Sequence, residues 1–470
     1  MELQLKFVRE RIRQEIETKS LQGYETHGLL DEWKGCQNDR SALMGLHQKL
    51  KTLSFQPGWL YTEPSDLVGI QQNRPAPIAL PAFYLAEDEV YNKIHGGWLG
   101  RVAACILGRP LEFGTNTQEV IQAYLEGAGS YPLQDYIPAQ SRQGTVLRRD
   151  CVPSMSGYVR FAQEDDDLNY MCLAVKLLER YGADFNSLAV GVNWLRSMPY
   201  LWNWGPEHAI YLNLAAAVGD SGYDYEETLP DGIDLEALTG YLNPSTELIG
   251  AQIRTDVYGY VCPSNPEKAA EFAWRDAYLT HRMNGIYGAM WVAAMNAAAF
   301  TLLDMEAVIQ AGLAQIPQKS RFNEAILQTM EWFHSDGDWR KTGHRIVEHY
   351  GCNAWAGTIN NACCVTAALL YGWAEGTSSP AEVYERTITI AVQLGYDTDC
   401  NAATAGSIIG IVLGANALPA KWVSPLNNTL KTCVAGFGEV HISDMAKRTY
   451  ELSRLLRGSS RPIIYPLTIK

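Results

Sequence analysis

A short acidic segment interrupts an apolar stretch near the end of the chain, and it constrains the fold more than any other feature of the sequence. The segment, residues 397–401, lies in AVQLGYDTDCNAATAGSIIGIVLG, between helix-like apolar sequence and a helix of small residues. It is expected to lie deep in the fold, where carboxylates need hydrogen-bond partners or a cation. Two interpretations stay open: Asp397 or Thr398 caps the following helix, or Asp397 and Asp399 turn their carboxylates toward one ion.

A second acidic cluster, Glu164-Asp165-Asp166-Asp167, precedes the apolar run LNYMCLAVKLLERYG. Its acids are predicted to occupy the cap or first turn of a buried helix, where the helix dipole favours them. Taken alone, such a cluster is more typical of a solvated charge run that caps a helix. Both clusters nevertheless start buried helices, and their convergence would create a site that needs a hard cation such as Mg²⁺. Two ions bridged by a shared carboxylate are compatible with such a site.

Apolar residues recur at helical spacing through most of the chain, and strict alternation is rare. Ile94, Trp98, Val102 and Ile106 form one such stripe, which Pro110 ends. The pattern predicts an all-α fold. Further helices are predicted over 168–181, 267–280, 286–303, 323–334, 361–373, 381–394 and 402–413.

The first 85 residues differ from the rest. Leu5, Val8, Ile12 and Ile16 have helical spacing, a second helix is predicted around 41–50, and the proline-rich segment QQNRPAPIALPAFYL follows. Residues before proline avoid the helix, so this segment is interpreted as a linker. The predicted organisation is therefore an N-terminal helical extension with its linker, residues 1–85, and a main domain, residues 86–470.

Charge and composition exclude several classes. The formal net charge is −14, which argues against broad nucleic-acid binding but allows a phosphate-bearing small ligand at a helix terminus. No apolar run approaches the roughly 20 residues that span a bilayer, and the N-terminus lacks the apolar stretch of a signal peptide. The ten cysteines are scattered without a CxxC pair, which indicates reduced thiols. A cytoplasmic protein is expected.

Three segments resemble, in order along the chain, the motifs of the ADP-ribosylglycohydrolase family, which includes the glycohydrolase that reactivates dinitrogenase reductase. GGWLGRVAACILGRPLE resembles the family's opening helix, whose functional glutamate corresponds to Glu112. EDDDLNYMCLAVKLLE resembles the T-D-D-T segment, and LGYDTDCNAATAGSIIG resembles the G-G-D-T-D-T segment, the most specific of the three. A weaker match starts at Gly250 and Arg254 and ends at His281.

The resemblance implies an orthogonally packed, multi-helix all-α domain over residues 86–470, with a magnesium pair at the bottom of a cleft. The implied metal ligands are Glu112, Glu164, Asp165, Asp166, Asp397, Asp399 and Cys400. The implied catalytic groups are Glu112, Asp166 and Asp397, and the implied substrate-binding positions are Gly250, Arg254 and His281. Glu164 and Cys400 stand where the family has threonine, a departure that could shift the metal preference toward Mn²⁺.

The implied reaction is hydrolysis of an N- or O-glycosidic bond to ribose in an ADP-ribosylated protein or ADP-ribose conjugate. The ribose hydroxyls would lie near the metals, which would also lower the pKa of a water. A carboxylate, Glu112 or one of the aspartates, would act as base. Neighbouring carboxylates would stabilise a transition state that resembles an oxocarbenium ion.

Other polar and aromatic residues are weaker candidates. Asn284, Asn360 and Asn361 are candidates for binding ribose or phosphate, although loop and cap hydrogen bonds are commoner roles for asparagine. Trp202 and Trp204 are candidates for stacking on an adenine, although packing explains most buried tryptophans. A histidine such as His281 is also more often structural than a ligand.

Two alternatives to this function remain. The first is a hydrolase of a nucleoside or of a small ribosylated metabolite on the same scaffold, which the departures from the family motifs favour. The second is a non-catalytic, crystallin-like or binding member, against which the retained carboxylates argue. The sequence leaves the leaving group, the metal count, the role of residues 1–85 and the oligomeric state open.

Overall fold

A computed structural model describes residues 4–36, 38–112, 117–143, 147–218, 232–351, 354–374 and 379–458. Within them the fold is all-α, as predicted, apart from one pair of short antiparallel strands, β1 (Thr429–Lys431) and β2 (Glu439–His441), in which Leu430 lies opposite Val440.

The helices before the predicted domain boundary are α1 (Leu5–Leu21), α2 (Leu29–Cys36), α3 (Arg40–Leu50) and α4 (Leu67–Asn73). The helices of the first half of the main body are α5 (Glu87–Gly108), α6 (Gln118–Gly127), α7 (Asp166–Tyr181), α8 (Ser187–Ser197), α9 (Gly205–Val218), α10 (Leu235–Thr239), α11 (Asp256–Val261) and α12 (Pro266–Ala277). Those of the second half are α13 (Asn284–Ala298), α14 (Met305–Leu313), α15 (Arg321–Asp336), α16 (Trp339–Tyr350), α17 (Thr358–Trp373), α18 (Pro380–Gln393), α19 (Thr398–Leu413), α20 (Ala420–Val423) and α21 (Ile442–Gly458).

The predicted helices agree with the structure to within a few residues, except at the end of α13. The segments 168–181, 323–334 and 381–394 correspond to α7, α15 and α18. The segment 286–303 corresponds to α13, which starts at Asn284 and ends at Ala298, because the chain turns before Asp304 caps the next helix. The helices that were not predicted from the sequence are α2, α4, α6, α8, α9, α10, α11, α14, α16, α20 and α21.

Helices α5 and α19 pack backbone against backbone, in antiparallel directions. A Cβ added to Gly100 would lie 2.2 Å from the carbonyl oxygen of Gly406. A Cβ added to Gly96 would lie 2.2 Å from the carbonyl oxygen of Gly410. Only glycine, whose side chain is a single hydrogen atom, allows two helix backbones to come this close. The contact continues to the end of α5, where a Cβ at Gly108 would lie 2.3 Å from the Thr398 carbonyl oxygen. The end of α5 is thereby held against the start of α19.

The N-terminal helices have a small apolar cluster of their own, which includes one residue from the main body. Val8, Ile12, Leu43 and Leu46 are buried together with Leu242. Polar contacts reinforce the attachment: the Arg11 guanidinium donates to the Leu242 carbonyl oxygen (2.7 Å). The division of the chain at residue 85 remains a prediction.

The helices of the described part do not include one that is both long enough and apolar enough to cross a membrane.

The α5–α19 contact predicts a large cost for the smallest possible substitution. We expect Gly100→Ala to destabilise the protein by roughly 1–3 kcal/mol or more, because backbone atoms must move to admit one methyl group. Gly45→Ala is the matched control: it lies inside α3 with open space around it, and alanine is favoured there by about 1 kcal/mol. Urea unfolding midpoints measure both variants. Equal midpoints for Gly100→Ala and the wild type would show that the two helices are not in backbone contact.

Candidate active site

Three segments that are distant in sequence bring acids to one cleft. Glu112 follows the 3₁₀ turn Arg109–Leu111 at the end of α5, Asp165 precedes α7, and Asp397 precedes α19. The cleft has a volume of about 570 Å³. Its lining includes Arg109, Glu112, Arg148, Asp165, Asp166, Leu201, Trp202, Trp204, Glu207, Gly250, Trp355, Asp397 and Cys400.

Helix starts fix the acids in place. Asp165 is the N-cap of α7, and its Oδ1 accepts a hydrogen bond from the Asp167 backbone N–H (3.1 Å), which satisfies a free donor of the first turn. The Asp397 N–H donates to Asn361 Oδ1 (3.0 Å). The Thr398 hydroxyl donates to the Gly108 carbonyl oxygen (2.9 Å) and ties the start of α19 to the end of α5. Asp397 occupies the N-cap position without a capping side-chain hydrogen bond, so its carboxylate is left for another role.

Within the part of the chain that the structure describes, three groups of carboxylates and thiols could each hold a metal ion, because the potential ligand atoms of each group lie within 4.8 Å of one another. The groups are Glu112, Asp397 and Asp399; Asp167, Asp399 and Cys400; and Cys105, Asp165 and Asp167. Oxygen donors are what Mg²⁺ prefers, whereas the two groups with a thiol are softer.

An unpartnered oxygen distinguishes the first of these groups. Asp397 Oδ1 is buried and has no hydrogen-bond partner among the described residues. Leaving a carboxylate oxygen buried in this way is costly unless a cation neutralises it. The residues present therefore fit a divalent cation at Glu112, Asp397 and Asp399.

Burial and mutual repulsion change the acidity of these groups. Burial, followed by the negative charges of Asp399 and Asp397, raises the pKa of Glu112 well above its usual range. Burial, followed by neighbouring aspartates, likewise raises the pKa values of Asp166 and Asp397. Burial together with the charge of Asp165 raises the pKa of Asp399 to about 6. The site therefore resists full ionisation at neutral pH unless positive charge is supplied.

Two arginines supply part of that charge, and sequence analysis predicted neither role. Arg101, fully buried in α5, bonds Asp167 (3.0 Å) and Asp256 (3.0 Å). Arg109 donates to Asp165 Oδ2. Arg101 carried a usable signal, because a lone arginine in the apolar helix of GGWLGRVAACILG must find acidic partners. Arg109 carried no such signal, because it stands at the helix end, where a solvated arginine is common.

Gly250 lines the cleft, and Arg254 lies behind it. The Arg254 guanidinium is buried. It donates hydrogen bonds to Glu207, to the Gly250 carbonyl oxygen (2.9 Å) and to Asp276 (2.5 Å). Glu207 itself lines the cleft, and a Cβ at Gly250 would lie 2.6 Å from its carboxylate oxygens. Arg254 thus holds the Glu207 wall in place. Glu207 was missed because GPEHAIYL resembles an ordinary helix start with a glutamate in its first turn.

His281 is fully buried, and its Nδ1 lies 2.6 Å from the Thr280 hydroxyl and 3.7 Å from Glu207 Oε1. Burial, with the charge of Arg254, lowers its pKa well below the usual value, so the ring is neutral. The described lining of the cleft does not include His281. Its assignment as a substrate-binding residue remains a prediction.

Asn360 and Asn361 support one wall of the cleft from behind. Asn360 Nδ2 donates to the Ala354 carbonyl oxygen (3.2 Å), and Asn361 Nδ2 donates to the carbonyl oxygens of Trp355 and Gly357 (2.8 Å each). Ala354 and Trp355 line the cleft. The loop interpretation of these asparagines therefore matches the hydrogen bonds that the structure shows, and direct contact with substrate remains a prediction.

Asn284 is held by two glutamates and a backbone amide. At the start of α13 its side chain donates to Glu63 (2.9 Å) and Glu247 (2.7 Å) and accepts from the Phe322 N–H (3.0 Å). The described cleft lining does not include it.

Among the described residues the predicted ligand Asp166 belongs to none of the three groups, and neither does Glu164. The Glu164 side chain is exposed. The ligand roles of Asp166 and Glu164 remain predictions, whereas the neighbouring Asp167 belongs to two groups.

Two indoles face the open side of the cleft. Trp202 and Trp204 contact edge to face, with ring centroids 6.1 Å apart. Trp204 is 52% exposed, and the adjacent Leu201 is 80% exposed. Aromatic and aliphatic groups exposed at a cleft mark a surface for binding an apolar or aromatic part of a ligand.

Residues 86–457 match the model of the ADP-ribosylglycohydrolase family, so the chain belongs to this family of glycohydrolases. The family resemblance predicted from the three motifs is thereby confirmed. A solved structure described as an "ADP-ribosylglycohydrolase-related protein complex" is 18% identical, with a TM-score of 0.47, and the alignment covers 78% of this chain and 99% of that one. No curated protein matches the chain by sequence.

The crowded carboxylates predict a pH-dependent effect of metal on stability. Their raised pKa values mean that ionisation destabilises the metal-free fold as the pH rises through about 6, the pKa of Asp399. At pH 7.5 we expect Mg²⁺ to raise the Tm of the metal-depleted protein, since a ligand at 100 times its Kd adds about 2.7 kcal/mol. At pH 4, where protons replace the cation, the effect should vanish.

The matched variants are Asp397→Asn and Asp304→Asn, each at the N-cap position of a helix. Asp304 is exposed and caps α14, so its variant should keep the full Mg²⁺ effect. Asp397→Asn should lose most of it. Differential scanning calorimetry measures the shift, and an equal response from both variants would contradict the site.

Proposed function

We propose that this protein is a metal-dependent hydrolase that cleaves the N- or O-glycosidic bond between ribose and its substituent in an ADP-ribosylated protein or ADP-ribose conjugate. The observation that carries the proposal is the convergence of Glu112, Asp397 and Asp399, two of which line the cleft, with Asp397 Oδ1 buried and without a hydrogen-bond partner among the described residues. Membership of the ADP-ribosylglycohydrolase family supports the same reaction class.

Glu112, Asp397 and Asp399 are the residues that would hold a divalent cation. A bound Mg²⁺ or Mn²⁺ would orient ribose hydroxyls and lower the pKa of a water molecule. Mn²⁺, which like Mg²⁺ takes carboxylate and water ligands, is the second candidate for these three carboxylates.

Glu112 is the proposed general base. It lines the cleft, and burial with the charges of Asp399 and Asp397 raises the pKa of its carboxyl group, which makes the carboxylate a stronger base. It would take a proton from the water that attacks the anomeric carbon. Asp166, which also lines the cleft, is placed to stabilise the positive charge that develops on the ribose ring.

Trp202 and Trp204 are proposed to bind the adenine, because indole rings provide a flat apolar surface on which a base can stack. Arg148 lines the same cleft, and its guanidinium donates two hydrogen bonds to Asp150 (3.0 and 2.5 Å). Its positive charge offsets the acids nearby and favours a diphosphate between the adenine and the ribose.

Replacing the base should remove turnover while leaving the fold intact. We expect Glu112→Gln to lower kcat for release of ADP-ribose from an ADP-ribosylated protein by about 10²–10⁴-fold. Glu331→Gln, on the exposed face of α15, is the matched control and should be unaffected. The assay is run with Mg²⁺, Mn²⁺ and a chelator on ADP-ribosylated proteins, ADP-ribose conjugates and nucleosides. Turnover of nucleosides alone would contradict the substrate class, and no metal-dependent turnover of any substrate would contradict the proposal.

Removing the Trp204 indole should weaken substrate binding and leave the rate of the chemical step unchanged. We expect Trp204→Ala to raise KM for an ADP-ribosyl substrate by roughly 5–100-fold, as the loss of one base–aromatic stack implies, with kcat little changed. A ribosyl substrate without the adenylyl group should show the same KM with both proteins. A KM that rises equally for both substrates would show that Trp204 shapes the cleft instead of binding adenine.

A further inference from the structure

We propose that the acidic centre of this protein takes one divalent cation per chain, and that Arg109 occupies the place of a second. The inference rests on the proposed function, because it assumes that Glu112, Asp397 and Asp399 bind a metal. It departs from the two-ion centre that the family resemblance implies. The argument comes from which carboxylate oxygens of the cluster already have partners.

Both oxygens of Asp165 are engaged by the protein. Oδ1 accepts the Asp167 backbone N–H as the cap of α7 (3.1 Å), and Oδ2 accepts from the Arg109 guanidinium. Arg109 is largely buried, with 14% of its side chain exposed, and it is carried on the turn that follows α5. An ion bound to the same carboxylate would lie within roughly 5 Å of the guanidinium, and two like charges this close repel strongly in a buried site.

Both oxygens of Asp167 are engaged as well. Oδ1 accepts from Arg101 (3.0 Å), and Oδ2 lies 3.1 Å from the Cys400 thiol, which donates to it. Arg101 is fully buried and also bonds Asp256 (3.0 Å), so it cannot leave without exposing two buried carboxylates. Two of the three ligand groups contain Asp167, and one of these also contains Asp165. Each of these groups therefore already holds a guanidinium in place of a metal ion.

The remaining group is the one with Asp397. Its Oδ1 is unpartnered among the described residues although the side chain is 97% buried, with 3% exposed. Two-metal centres place their ions about 3.5–4 Å apart and bridge them with a shared carboxylate. With Asp165 and Asp167 bound to arginines, a second ion bridged by Asp399 would have only Asp166 as an opposite carboxylate, and Asp166 belongs to none of the three groups. One cation at Glu112, Asp397 and Asp399 is what the geometry accommodates.

The experiment counts Mn²⁺ ions bound to the full-length protein by equilibrium dialysis and records their electron paramagnetic resonance spectrum. We expect the wild type to bind one Mn²⁺ per chain with the spectrum of an isolated ion. Arg109→Met, similar in length but uncharged, releases Asp165 Oδ2 while Arg101 stays on Asp167. It should bind two ions, the second at Asp165, Asp166 and Asp399, with the spectrum of a spin-coupled pair. Arg109→Lys, which keeps the charge, should return to one. Arg448→Gln is the matched control: it removes an arginine from an ion pair with Glu179, near the other end of α7, and should bind one.

The outcomes separate this inference from the proposed function. Two coupled ions in the wild type, or one ion in both the wild type and Arg109→Met, would overturn the role of Arg109 while leaving a metal-dependent hydrolase intact. No Mn²⁺ bound to the wild type would overturn the proposed function itself. The wild-type count decides the stoichiometry even if Arg109→Met fails to fold.

Discussion

The close approach of α5 and α19 is the constraint on which the candidate site depends. Glycines on both helices let the backbones touch, and at the end of the contact Gly108 lies against Thr398. The Thr398 hydroxyl bonds the Gly108 carbonyl oxygen at this point. Glu112, four residues further along the chain, is thereby brought beside Asp397 and Asp399. A wider spacing between these helices would separate the acids and leave no shared site for an ion.

Bringing carboxylates together has an electrostatic cost that the protein offsets in two ways. Arg101 and Arg109 neutralise Asp167 and Asp165 directly. The acids around Asp397 have raised pKa values, because burial and their neighbours disfavour ionisation. Clusters of groups with shifted pKa values in a cleft are a common feature of functional sites. The same arrangement explains why the site should respond to both pH and metal.

Much of this organisation could be predicted from the sequence. Helical periodicity located α7, α15 and α18, because their buried faces repeat at 3.6 residues. The acidic segment at 397–399 could be placed in the interior, since both flanks are apolar. Convergence of the three acidic segments could not be derived from local pattern, because it is set by the long-range α5–α19 contact. This convergence was predicted only because the three segments resemble the motifs of a known family.

Partners of the acids were harder to predict than the acids. Arg109 and Glu207 occupy positions where local sequence suggests solvated helix-end residues, and only tertiary packing turns them toward the cleft. Asn284 was a weak candidate for binding ribose or phosphate, and in the fold its side chain donates to Glu63 and Glu247. Side-chain pairing across elements is a property of the assembled helices, which no single segment encodes.

The most direct test of this account is the anomalous diffraction signal of Mn²⁺ in crystals of the protein. The account predicts a peak within coordination distance, about 2–2.5 Å, of carboxylate oxygens of Glu112, Asp397 and Asp399. A map with no peak at these residues, at saturating Mn²⁺ and neutral pH, would contradict the claim that the buried acids converge to hold a cation.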